Sequence, residues 1–251
     1  MNLPEEHLTG GNVAEEVVRI GTTVRKLATP ATDAVEAFLK HLESAGFSGA
    51  PRTLGRDDQD RHVVEYIPGV IAHDQPPLPL EALRRVGGLI RDFHDASASF
   101  QPPADAAWDV AIPPDRHDLI CHHDLAPWNL VMDGDRWVFI DWDGAGPGSR
   151  MWDVAYAAHG FVVFRPDGNP EEDAVRLRAL VDGYGLNEEQ RQRLPRMIVD
   201  RTRAMFDLLE HGARIGQQPW ARLHAEGHAD HWGPTADYIE RHLATWREEL
   251  M

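Results

Sequence analysis

"CHHDLAPWNLVMDGDRWVFIDWDGAG", residues 121–146, carries His122, His123, Asp124, Asp133, Asp135, Asp141 and Asp143 in a stretch that otherwise reads as two short strands and a turn. Like charges repel and none of these groups is cheaply buried alone, so the cluster demands a counter-charge. Asp133 and Gly134 supply turn chemistry between "NLVM" and "WVFI", which predicts a β-hairpin. A hairpin brings its open ends together, so Asn129 is expected to meet Asp141 and Asp143, which follow it by twelve and fourteen residues. Asp124 enters from the preceding loop. Oxygen donors without cysteine suit Mg2+, and a divalent cation at Asn129, Asp141 and Asp143 removes the repulsion between the carboxylates.

Around this stretch the composition narrows the function classes. The 251 residues are 42% hydrophobic, enough for a buried core, and the single cysteine, Cys121, cannot form an intrachain disulfide. The start, MNLPEEHL, lacks the basic and apolar regions of a signal peptide, so a cytoplasmic setting is expected. No apolar run approaches the roughly 20 residues that span a bilayer, and no membrane partner is expected. The 25 Lys and Arg against 41 Asp and Glu leave a net charge of −16, which argues against a nucleic-acid partner and suits a cationic small molecule.

Residues 1–68 read as a small β-rich lobe: "NVAEEVVRIG" and "TTVRKLA" join through Gly21, and "RHVVEYI" follows. A helix interrupts them over "ATDAVEAFLKHLESAGF", with Thr32 as its expected N-cap and Val35, Leu39 and Leu42 at helical spacing. "IPGVIAHDQPPLPL", with four prolines, reads as the connection. Residues 69–251 then turn mostly helical. Leu80, Leu83, Val86, Ile90 and Phe93 form one stripe, and Asn187 and Gln190 have capping-box spacing. Pro195 is expected to kink or restart its helix, and Ile239, Leu243 and Trp246 to line one side of the last one.

His122-x-Asp124-x-x-x-x-Asn129, followed by Ile140-Asp141-x-Asp143, resembles the catalytic and metal-binding loops of the aminoglycoside phosphotransferase and choline kinase-like family, relatives of the protein kinases. The resemblance extends over most of the chain. It implies an α+β, bilobal protein-kinase-like fold with a small β-rich N-lobe and a larger, mostly helical C-lobe. It also implies a phosphotransferase that uses ATP and Mg2+ to move the γ-phosphoryl group to a hydroxyl of a small molecule, an aminoglycoside or other cationic antibiotic among them.

The same resemblance assigns roles by position. Asp124 becomes the catalytic base, Asn129 and Asp141 the Mg2+ ligands, and Asp143 a group near metal or phosphate. "TVRK" resembles the strand whose lysine contacts the α/β-phosphates; Lys26 is the choice and Arg25 its rival, because strand alternation puts only one in the cleft. Glu36 is expected to pair with that lysine. Glu65, Tyr66 and Ile67 resemble the hinge whose backbone holds adenine, and Gly10 and Gly11 the turn that covers the phosphates. His122 is expected to support the loop, Asp153 to brace it, and His94 to be structural.

Trp142-Asp143 stands where protein kinases have Phe-Gly, and no Ala-Pro-Glu segment follows, which turns the reading away from a protein substrate. Two other classes stay open. His122, His123 and Asp124 with the "HAEGHADH" segment offer metallohydrolase ligands, His224 and His228 being four residues apart. A kinase-like fold kept as a non-catalytic binding or immunity protein is the other.

Overall fold

The computed structural model describes residues 4–8 and 17–251; Gly10 and Gly11 lie outside the described residues. Five strands, β1 (Glu6–His7), β2 (Val17–Ile20), β3 (Thr23–Leu27), β4 (Thr53–Arg56) and β5 (Arg61–Glu65), form one antiparallel sheet in the order β1-β2-β3-β5-β4. Gly21, at φ 60°, makes the tight β2–β3 turn possible, since positive φ strains any residue carrying a Cβ. Helix α1 (Thr32–Ser44) follows β3 and buries Val35, Phe38, Leu39 and Leu42. Thr32 is its first helical residue, with Ala31 at the cap position. Its hydroxyl turns back to accept the Thr29 N–H at 2.8 Å, so it closes the preceding turn instead of capping the helix.

The larger part is helical and built around two small strand pairings. Strand β6 (Val70–Ile71) joins the hairpin of β8 (Leu130–Asp133) and β9 (Arg136–Phe139), and β7 (Leu119–Cys121) pairs with β10 (Gly146–Gly148). The hairpin register sets Leu130 opposite Phe139, and the Ile140 N–H donates to the Asn129 carbonyl at 2.8 Å. The two open ends therefore meet, as the turn chemistry predicts.

Around these strands pack α2 (Leu80–Ser97), α3 (Arg150–Val162), α4 (Pro170–Tyr184), α5 (Glu188–Ile215), α6 (Trp220–Ala225), α7 (Ala229–Arg241) and α8 (Leu243–Leu250). Asn187 and Gln190 form the expected capping box of α5. Pro195 does not restart that helix. Its missing N–H and ring clash cost about 3 kcal/mol, but Leu194, Ile198 and Val199 around it are fully buried, and that packing offsets the loss. The expected last helix is two: the chain breaks at His242, and the Trp246 indole satisfies the Ile239 carbonyl at 2.8 Å across the break. No helix of the described residues is long and apolar enough to cross a membrane.

Two features of the core position the site. Trp142 packs edge-on against Phe93 at 5.0 Å and Phe38 at 5.9 Å, pinning the segment after β9 between α2 and α1. Helices α2 and α4 touch backbone to backbone: a Cβ on Gly87 would run into the Leu180 carbonyl and one on Gly183 into that of Arg84. Gly87→Ala and Gly183→Ala, which helix propensity alone would favour, should each destabilise the protein by about 1–3 kcal/mol. Urea midpoints that fall while the denaturant slope stays constant are the expected result.

Candidate active site

The loop between β7 and β8 takes its shape from one buried carboxylate. Asp153, in the first turn of α3, accepts the backbone N–H groups of His122 at 3.0 Å and His123 at 2.9 Å, and the His94 ring nitrogen at 3.1 Å. His94 in turn bonds the Tyr184 hydroxyl at 2.9 Å. Burial opposes the charge on Asp153, but the His94 hydrogen bond and the surrounding imidazoles hold its pKa down to about 2. Burial keeps His94 itself neutral by pulling its pKa below the ordinary range.

The loop is also strained, since His123 and Asp141 sit at φ 66° and 63°, where non-glycine residues are rare. His122 ties the loop to the hairpin. Its Nε2 bonds the Ile140 carbonyl at 3.0 Å, while Nδ1 accepts the Asp124 N–H at 3.3 Å.

Five polar residues converge at the hairpin's open end. The Asn129 amide donates to the Asp124 carbonyl at 3.0 Å and to Asp124 Oδ2 at 2.7 Å. That leaves the Asn129 side-chain oxygen, Oδ1, without a donor among the described residues. Lys26 Nζ crosses from β3 to Asp141 Oδ1 at 2.5 Å and Asp143 Oδ2 at 2.9 Å. Burial opposes the Lys26 charge, yet the two aspartates raise its pKa above the ordinary lysine range. Burial likewise opposes the Asp141 charge, and Lys26 more than offsets it, holding the carboxyl below its usual value. Asp124 is the opposite case: burial pushes it up, and the polar groups beside it, the Tyr156 hydroxyl first among them, draw it only partly back. Asn129 Oδ1 and the carboxylates of Asp141 and Asp143 form a hard-oxygen donor set that could hold a divalent cation.

The other expected residues lie elsewhere in the cleft or outside it. Arg25 points to the opposite face of β3, where its Nε meets Asp57 at 3.1 Å, so strand alternation puts Lys26, and not Arg25, on the face with Asp141 and Asp143. Glu36 does not meet Lys26. It accepts from the Thr53 hydroxyl at 3.4 Å and pairs with Lys40 at 3.6 Å, one helical turn on. Glu65 is bidentate to Arg136 at 2.9 and 3.2 Å, which joins the sheet to the hairpin. The Tyr66 ring lies under Arg19 at 3.8 Å, and Ile67 is buried with Val131 and Val138.

Nor do the imidazoles converge into a metallohydrolase site. His123 Nε2 bonds the carbonyls of Gly146 and Pro147, and His224 pairs with Glu210. His94, Cys121 and Asp153 lie within 4.8 Å of one another, but each already takes part in hydrogen bonds within a fully buried brace.

Three residues near Asp124 escaped the sequence reading. Trp128 is 38% exposed, and its indole N–H reaches Asp124 Oδ2 at 3.4 Å. Tyr156 follows Asp153 by three residues, so helical spacing was the signal available for it. Arg201, on α5, donates to the His123 carbonyl at 3.1 Å, and nothing in its local sequence marks it.

Against known proteins, the profile described as "Phosphotransferase enzyme family" matches residues 104–195, which contain the loop, the hairpin and the Asp153 brace. The trifolitoxin immunity protein of Rhizobium leguminosarum bv. trifolii is 34% identical over 199 residues, 73% of this chain and 75% of that protein. The fold is similar to that of a choline/ethanolamine kinase family protein from Mesorhizobium loti, with 18% identity, a TM-score of 0.61 and coverage of 98% of this chain and 92% of that one. It is also similar to an amicoumacin kinase in complex with AMP-PNP, Ca2+ and Ami, with 13% identity, a TM-score of 0.67 and coverage of 98% and 87%.

The brace has a pH signature. Asp153 titrates near 2 when folded against 3.8 when unfolded, so its stabilisation is complete above about pH 4 and is lost as pH falls towards about 2. That difference amounts to about 2 kcal/mol. Asp153→Asn should lower the urea midpoint at pH 7 and flatten its decline between about pH 4 and 2; equal slopes in the two proteins would contradict the assignment.

Proposed function

The chain belongs to the phosphotransferase enzyme family, and from that premise we propose that it transfers the γ-phosphoryl group of ATP to a hydroxyl of a small molecule. What supports this most is the pairing of opposite environments in one cleft: Asp141, beside Asp143, with its carboxyl held low by Lys26, and Asp124 held apart from them beside Asn129 with its carboxyl raised by burial. Groups whose surroundings push their pKa values apart can divide the labour of acid–base chemistry. Asp124 receives or orients the acceptor's hydroxyl proton. Lys26, on the cleft face of β3, is the residue that would contact the α- and β-phosphate oxygens. The N–H of Ile67, which no described residue accepts, faces the task of holding the adenine edge.

Asn129, Asp141 and Asp143 are the residues that would hold Mg2+. When bound, that ion neutralises charge on the phosphates. Phosphoryl transfer asks little covalent chemistry of a protein, so a preset geometry of this kind can supply most of the catalysis. The amicoumacin kinase, complexed with AMP-PNP and Ca2+, offers a precedent for a nucleotide and a divalent ion on this fold. The net charge of −16 favours a cationic acceptor such as an amino-sugar antibiotic.

A second reading follows from the relative's name: an immunity protein could protect by sequestering a toxin without turnover. The complete set of Asp124, Asn129, Asp141 and Asp143 favours chemistry over sequestration alone. ADP release with Mg-ATP across aminoglycosides, other hydroxylated antibiotics, choline and simple sugars tests the choice. Asp124→Ala should lose turnover by about 10²–10⁴-fold yet keep its thermal stabilisation by Mg-ATP, and Asp141→Ala should lose the Mg2+-dependent part of that stabilisation. Wild-type turnover in Asp124→Ala would remove Asp124 as the base. Protection of cells by Asp124→Ala equal to that by wild type would favour sequestration.

A further inference from the structure

Arg201 is buried to 4% exposure, and its guanidinium meets no carboxylate. Only one of its nitrogens has a hydrogen-bond acceptor, the His123 carbonyl at 3.1 Å; Nε and Nη1 are buried with none. The planar group instead lies over the Tyr156 ring at 4.3 Å and near the Trp152 ring at 5.6 Å. Tyr156 is held from another side by Trp232, with ring planes 10° apart. Burial works against the Arg201 charge, and the electrostatic pull of Tyr156, Asp124 and Asp153 compensates only in part. A fold selected for stability alone would replace such a cation with an apolar side chain of similar volume.

What the cation touches gives it a purpose. His123 is the strained residue immediately before Asp124, and its carbonyl belongs to the peptide that carries the Asp124 N–H. Asp153 holds the N–H side of this turn; Arg201 holds the carbonyl side from α5. Tyr156, under the guanidinium, packs edge-on to Trp128 at 6.4 Å, and Trp128 reaches Asp124.

We propose that Arg201 is a positioning residue for the catalytic base, locking the strained His123–Asp124 peptide and the Tyr156 ring so that the Asp124 carboxylate faces the acceptor. The proposal rests on the phosphotransferase reading, but part of its test does not. In Arg201→Met, hydrogen–deuterium exchange should speed up in residues 122–126 and stay unchanged in β7 and along α5. Because the lost charge was poorly satisfied, the melting temperature should stay within a few degrees of wild type. With an acceptor in hand, kcat should fall roughly tenfold, the effect of one hydrogen bond to a charged group, while KM for Mg-ATP is unchanged. Arg201→Lys, which keeps the charge and can reach the His123 carbonyl, should recover most of that rate.

A merely structural role predicts the reverse: a large drop in melting temperature, exchange raised throughout α3 and α5, and an unaltered kcat in the protein that remains folded. That pattern, or unchanged exchange at 122–126, overturns the proposal. If the wild type itself neither turned over nor bound Mg-ATP, the kinase reading would fail. The local exchange result would still decide whether Arg201 holds the loop.

Discussion

One carboxylate with no contact with water, that of Asp153, organises the catalytic loop. It accepts two successive backbone N–H groups, those of His122 and His123, and a third donor from His94. Such a bridge joins α2, α3 and the loop through a single anion, so the loop cannot move independently of either helix. The strained φ of His123 is tolerable because these bonds over-determine it. Everything acidic that follows, from Asp124 to Asp143, is displayed from this fixed turn and its hairpin.

The hairpin continues the same logic by alternation. Trp142 points into the aromatic core against Phe38 and Phe93, so Asp141 and Asp143 on either side of it are turned towards the cleft. Core packing therefore sets the spacing of the two carboxylates, and the bulk of the indole stands in for a smaller ring without disturbing the outward pair. The indole N–H closes onto the Phe139 carbonyl at 2.7 Å, satisfying a backbone group where β9 ends.

What could be read in the sequence divides by range. The hairpin, the junction of Asn129 with Ile140, the capping box of α5 and the stripe of α2 follow from turn chemistry and periodicity, which act over a few residues. The choice between Lys26 and Arg25 needed only to know which face of β3 looks at the cleft, and that depends on how the sheet sits on the hairpin. Glu36 shows the limit. One helical turn into α1 it was well placed by spacing, but the helix presents it to Thr53 and Lys40, and the aspartates hold the lysine. The helix runs on through Pro195 and breaks at His242 for a related reason: local cost is overruled where tertiary burial is deep, and local continuity fails where packing turns the chain. Arg201 had no local signal at all, because its partners are tens of residues away and its role is to be poorly satisfied where it is.

The charges of the cleft are balanced in part from within. With Lys26 lodged between Asp141 and Asp143, one side chain offsets part of the negative charge of the donor set. A divalent cation held by Asn129, Asp141 and Asp143 would supply the counter-charge that Lys26 supplies here. Asp124 stands outside this balance, tied instead to Asn129, Trp128 and the loop. Its hydrogen bonds to Trp128 and Asn129 come from within the loop and do not involve Lys26.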